Sequence, residues 1–198
     1  MTAPDEEVVD VIVLGSGASG LTAAVAAHAN GASVVVLEKG ELVGGTSAWS
    51  GGMVWIPNNH HMAAAGLDDS RAEVLTYLDS LSHGMIETYL AVAFVDAGPE
   101  MVKWLEAETP VQFDIVEGFP DYHPEHPGGK PDGGRSLECP LFSFDELGEW
   151  SSRVTVGRQS AANVVMNETT LGRGDEPDPV ELARRRERDE RGCGQALV

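Results

Sequence analysis

The chain has 198 residues, 42% apolar and 23% charged, the make-up of a globular protein with enough chain to bury a core, which excludes wholesale disorder. A formal net charge of −19 repels phosphates, so nucleic acid and anionic membrane surfaces are excluded as partners. No run approaches the ~18 apolar residues of a membrane span. The opening MTAPDEEVVD is acidic where a signal peptide is basic, and two cysteines, Cys139 and Cys193, suggest neither a disulfide framework nor a four-thiolate metal site. The expectation is a cytoplasmic protein with free thiols.

Val8 to Leu14 form a β-branched run of the kind found in a strand buried on both faces of a parallel sheet. Gly15, Gly17 and Gly20 then give G-x-G-x-x-G, the alanine-rich LTAAVAAHAN reads as a helix capped by Gly31, and Ser33 to Leu37 read as a second strand ending at Glu38. Each glycine has a use in holding a dinucleotide. Gly15 permits the tight turn, Gly17 lets a pyrophosphate reach amides at the helix N-terminus, and Gly20 lets helix and strand pack closely. Glu38, 18 residues beyond Gly20, is placed to accept hydrogen bonds from a ribose, and it disfavours a 2′-phosphate. A lone glycine motif is weak evidence; strand, helix and acid together make the dinucleotide reading.

The next segment, EKGELVGGTSAWSGG, places Gly44, Gly45, Gly51 and Gly52 around Thr46, Ser47 and Ser50. Its amides and hydroxyls could wrap a second stretch of the same cofactor, while composition alone also allows a plain Gly/Ser surface loop. The stretch VIVLGSGASGLTAAVAAHANGASVVVLEKGELVGGTSAWSGG resembles the FAD-binding opening of the fumarate reductase and 3-ketosteroid dehydrogenase flavoprotein superfamily. The resemblance implies an α/β fold with a Rossmann-like FAD-binding βαβ start. It implies FAD held by Gly15, Ser16, Gly17, Ala18, Ser19, Gly20, Glu38, Lys39, Gly44, Gly45, Thr46, Ser47, Ser50, Gly51 and Gly52. Residues 1–57 are the expected dinucleotide-binding part, and 58–198 an incomplete region of helices and long loops toward the substrate side.

Ser70 and Glu73 form an S-x-x-E capping box ahead of an amphipathic helix that closes near Gly84. A further helix is expected from Ile86 to Ala97, stopping at Gly98, and Pro99 in a favourable first position opens a third. VQFDIVE alternates like a strand. His60 with His61, and His123 with His126 upstream of Cys139, raise a metal site; their proline-filled spacing gives no rigid ligand face, and polar loop histidines are the better reading. No metal is expected.

Prolines 120, 124, 127 and 131 stiffen the loop EGFPDYHPEHPGGKPDGGRSLECP, and a stiffened loop holds a side chain still. Its Tyr122 can hydrogen-bond a carbonyl or assist proton removal, although on local sequence a tyrosine packed by its ring with a wet hydroxyl is the stronger reading. GGTSAWSGGMVWIPNN, FVDAGPEMVKWLE and FPDY…GGRSLE…LG resemble bacterial 3-ketosteroid dehydrogenases, flavoenzymes that desaturate the A-ring of 3-oxosteroids. That resemblance implies a small apolar ketone as substrate, FAD as hydride acceptor, and Tyr122 on the proton-removal side. The electron acceptor stays open.

In the tail, Ser143 and Glu146 form another S-x-x-E box, and SAANVVMNETTLG reads as a helix ending at Gly172. Asp178 and Pro179 open a helix whose interleaved charges make a solvated face a better reading than a basic patch at Arg184 to Arg186. GCGQALV reads as the start of an apolar helix. The resemblance implies that such a helix returns to the FAD domain and that the chain is a truncated form, with a complementing chain able to supply the remainder. Three functions stay open: steroid desaturation, FAD binding without turnover, and reduction of an unsaturated acid.

Overall fold

The computed structural model describes residues 8–157, 163–172, 174–192 and 196. Strand β1 (Val11–Leu14) pairs in parallel with β2 (Val34–Leu37), and helix α1 (Ala18–Ala29) crosses between them. Gly31, with φ +86°, follows the Asn30 cap, as the sequence predicts. The expected burial on both faces does not hold. Val11 and Val13 are half-buried, but Ile12 is 59% and Leu14 80% exposed, because helix α1 packs against this two-stranded ribbon and the alternation of the strands turns Ile12 and Leu14 away.

Beyond the glycine loop, β3 (Val54–Trp55) begins an antiparallel sheet of order β3-β5-β4, with β4 at Asp114–Glu117 and β5 at Gly133–Glu138. The expected boundary at residue 57 therefore falls inside a hydrogen-bonded unit, with Val54 opposite Leu137 and the Ile56 amide bonded to the Arg135 carbonyl. Strand β5 occupies a segment that the sequence presents as loop. All six of its residues are buried, and its polar letters conceal this, since Arg135, Ser136 and Glu138 are buried strand residues. Gly133 has φ +78° and passes so close to Phe119 that a Cβ would lie 2.5 Å from the Phe119 carbonyl.

Helix α2 (His60–Ala64) starts at Asn59, whose side chain accepts from the Met62 amide and donates to the carbonyls of Ile56 and Gly134. Helix α3 (Arg71–Ser82) starts at Ser70, which accepts from the Glu73 amide as the capping box predicts. The two helices expected around Gly98 are one, α4 (Thr88–Glu108), with Pro99 inside it. Its buried residues Ala91, Val95, Gly98, Val102 and Leu105 recur by fours and threes, so one apolar stripe runs through the break signal and packing overrides it. Val102 and Leu105 join Ile56, Phe113, Leu137 and Cys139 in the core between α4 and the sheet.

The tail departs from expectation in three places. Ser143 caps no amide; its hydroxyl donates to the Arg188 carbonyl, next to the short pairing of β6 (Phe142–Ser143) with β7 (Glu190–Arg191). Of the helix expected up to Gly172, residues 158–162 lie outside the described residues, and the rest holds only a 3-10 turn at Met166–Glu168. The amides of Met166 and Asn167 are engaged by the Glu138 carboxylate, and the Asn167 side chain bonds Glu117 and Ile115, so this backbone serves the sheet. Helix α5 (Pro179–Glu187) is capped by Asp178 as expected, but Arg185 is buried, forking onto Glu168 and reaching Glu181 and the Asn163 carbonyl. The apolar helix expected at GCGQALV falls mostly outside the described residues; of residues 193–198, Ala196 is described, and it packs on the core.

Candidate functional site

The glycine turn has the geometry that a dinucleotide needs. Gly15 sits at φ +100°, and a Cβ on Gly20 would lie 2.1 Å from the Gly15 carbonyl, so only glycine lets α1 start this close to β1. The second glycine loop lies across the helix start. Ser47 Oγ accepts from the Ala18 amide at 3.0 Å and would stand 3.3 Å from a Cβ on Gly17, while Gly45 rests on the Gly17 backbone.

Glu38 ties the two loops together. One carboxylate oxygen accepts from the Ser16 amide (2.9 Å) and hydroxyl (2.5 Å), the other from the Gly40 amide (2.7 Å). Ser16 Oγ in turn accepts from the Gly44 amide at 3.0 Å. The Gly40 amide first, then the Ser16 hydroxyl and amide, pull the Glu38 carboxyl down to about 2. Ser16 is thus a buried link between Glu38 and Gly44, a role that the sequence does not disclose. An open cleft of about 720 Å³ beside this carboxylate is lined by Glu38, Gly40, Gly45, Thr46 and Trp49.

Where the glycine loop ends, a second cleft begins. It measures about 310 Å³ and is walled by Met53, Trp55, Tyr77, Leu78, Leu81 and Phe119, with Tyr122 at its edge. Tyr122 is 82% exposed and its ring meets Phe119 edge-on, at 6.2 Å between centroids.

The FAD binding domain family matches residues 10–182. The chain belongs to that family. Its cofactor is FAD, and the described turn fits the group, because the close approach of Gly20 to Gly15 opens a helix N-terminus toward a diphosphate. This FAD-binding chain is 48% identical to a 4-oxocyclohexanecarboxylate 2-dehydrogenase of Sinomonas cyclohexanicum over 73% of its length. It is 44% identical to a 3-oxosteroid 1-dehydrogenase of Mycobacterium tuberculosis over 70%. It spans about a quarter of the length of these relatives, 25% and 24%. A solved 3-ketosteroid delta1-dehydrogenase from Sterolibacterium denitrificans, in complex with 1,4-androstadiene-3,17-dione, superposes with a TM-score of 0.86 at 34% identity, over 96% of this chain and 37% of that one.

Behind the second cleft of the FAD-binding chain lies a charge cluster that sequence reasoning missed. Arg135 is fully buried and donates to Asp69 (2.9 and 2.7 Å) and Asp121 (2.8 Å). Burial opposes ionisation of Asp69, but the Arg135 hydrogen bonds and charge outweigh it and the carboxyl titrates below its ordinary value. The one signal in the sequence is the arginine of GGRSLE, since a guanidinium that becomes buried requires acid partners.

His60 and His61 are not loop histidines as expected: they open helix α2. His60 Nε2 and His61 Nε2 both face the Glu106 carboxylate, at 3.1 and 2.8 Å, with ring centroids 4.1 Å apart. His60 Nδ1 is buried and finds no partner among the described residues. Burial, then the neighbouring His61, lowers the His60 pKa. His123 and His126 pair with Glu125 and Ser80. Cys139 is a core thiol, pushed up to about 12 by burial and then by Glu138. Among the described residues, no helix is long and apolar enough to cross a membrane.

Proposed function

We propose that this chain is the FAD-holding and substrate-facing part of a flavin-dependent dehydrogenase acting on a cyclic ketone of the 3-oxosteroid type. In this reading Gly15, Ser16, Gly17, Ala18, Ser19 and Gly20 of the first turn hold the cofactor together with Glu38 and Lys39. The second loop contributes Gly44, Gly45, Thr46, Ser47, Ser50, Gly51 and Gly52. FAD, when bound, supplies the hydride acceptor. The chain's own residues bind the ketone through the apolar wall, shield it from water, and offer the Tyr122 hydroxyl to the carbonyl or to the proton leaving the neighbouring carbon.

The observation that carries this reading is the apolar cleft that opens directly after the glycine loop, with Tyr122 at its edge. No lysine or arginine lines it among the described residues, and beside the tyrosines its polar lining is Asp121, His123 and Ser136. That lining suits an uncharged ketone better than a substrate bearing a carboxylate, which would call for a cationic partner. The relative acting on 4-oxocyclohexanecarboxylate makes this distinction worth testing.

The test is to load a complete enzyme carrying this segment with FAD, record its visible spectrum, and titrate it without oxygen with 4-androstene-3,17-dione and, separately, 4-oxocyclohexanecarboxylate. Bleaching of the flavin band by the steroid alone is the expected result. Bleaching by the carboxylate alone would overturn the substrate class. A flavin that binds and is bleached by neither would support cofactor binding without turnover.

A further inference from the structure

Strand β5 places Arg135 where a central strand ordinarily buries an aliphatic side chain. The guanidinium forks onto both oxygens of Asp69 and reaches Asp121, and the rings of Trp55 and Tyr77 lie 5.7 and 5.4 Å from its central carbon. Asp69 also accepts from the amides of Asn58 and Ser70, which fixes the entry to α3. Asp121 is bonded on both oxygens: Oδ1 accepts from Trp55 Nε1 at 2.7 Å, and Oδ2 accepts from Arg135 and from the Lys130 amide. The Asp121 amide donates back to the Lys130 carbonyl at 3.0 Å, closing the proline-rich loop on itself.

A buried ion cluster is weak evidence for stability, because apolar residues of similar volume often serve as well. What it supplies is directionality, and the branch through Asp121 ends on the residue preceding Tyr122. We infer that Arg135 is a positioning residue which, acting through Asp121, fixes the loop that presents the Tyr122 phenol to the apolar cleft. The consequence for catalysis rests on the proposed function; the geometric content does not.

The chain has three tyrosines, Tyr77, Tyr89 and Tyr122, so biosynthetic 3-fluorotyrosine gives three fluorine resonances, with Tyr122 assigned by its loss in Tyr122→Phe. In Arg135→Lys, which keeps the charge but not the fork, the Tyr122 resonance is expected to move toward its position in the unfolded chain while Tyr89, exposed on α4, stays in place. Asp121→Asn should produce the same displacement, and the double variant little more, because both act through one contact. Arg135→Gln should displace Tyr122 further than Arg135→Lys. If Arg135→Lys does not fold, Asp121→Asn alone decides. An unmoved Tyr122 resonance in a folded variant, or equal movement of Tyr89, would overturn the inference.

Addition of 4-androstene-3,17-dione separates this inference from the reading beneath it. A steroid-induced shift of Tyr122 that weakens about tenfold in affinity in Arg135→Lys supports both. Displacement of Tyr122 by Arg135→Lys with no response to steroid in the wild-type chain leaves the positioning role intact and removes the steroid. A steroid response identical in wild type and Arg135→Lys removes the positioning role.

Discussion

Glu38 accepts three hydrogen bonds through a half-buried side chain, and its charge is therefore coupled to the closure of both glycine loops. Its carboxyl titrates at about 2 in the folded chain against an ordinary 4.5. A depressed folded value means that its contribution to stability is present above 4.5 and is lost as pH falls toward 2. The difference in melting temperature between the wild-type chain and Glu38→Gln should accordingly be greatest near neutrality and vanish over that acid window. Flavin retention on a desalting column should fall in the same variant. At Tyr122 the expectation concerns rate: in an enzyme carrying this segment, Tyr122→Phe should lower kcat by about 10²-fold or more with far less effect on KM, as removal of a group that assists proton transfer does.

Helix α4 shows what one element can override. Pro99 has no amide to give Val95, and Gly98 lies against Ile56, where a Cβ would stand 3.2 Å from the Ile56 Cγ2. Gly98→Val should therefore destabilise the chain by about 1–3 kcal/mol through overpacking. Pro99→Ala should stabilise it, since alanine restores the backbone amide that proline lacks in a helix interior; urea denaturation of the two variants checks both signs.

The same helix explains which parts of the fold the sequence discloses. The βαβ start is legible because Gly15, Gly17, Gly20 and Glu38 act through local spacing, and the caps at Ser70 and Asp178 are legible because a cap contacts its own first turn. Gly98 and Pro99 mislead because a stripe of buried residues on both sides decides the matter. Strand β5 is hidden because its polar residues are satisfied by Asp69, Asp121 and the Met166 and Asn167 amides, outside the strand's own sequence. For the proposed site, the glycines and Tyr122 can be named from motif and resemblance, whereas Arg135, Asp121 and Trp55 require the sheet.

The molecule as a whole carries a net charge of −19, yet its cofactor is an anionic dinucleotide. The field of the chain opposes the approach of FAD until salt screens it, with a Debye length of about 8 Å at physiological ionic strength. The association rate of FAD, followed by stopped-flow fluorescence, should therefore rise with added potassium chloride. On the opposite side of the ribbon from α1, Ile12 and Leu14 present an apolar face. Ile12→Lys with Leu14→Ser should reduce light scattering at high protein concentration while leaving the melting temperature nearly unchanged.

Cys139 gives the core between α4 and the sheet a clock. A thiol held protonated up to about 12 and only 4% exposed, in one core with Phe113, Leu137 and Val102, reacts slowly with an alkylating reagent until that core opens. The mass of the peptide carrying Cys139, sampled over hours in iodoacetamide, thus follows the openings of the sheet that carries Arg135, with a residue the chain already has.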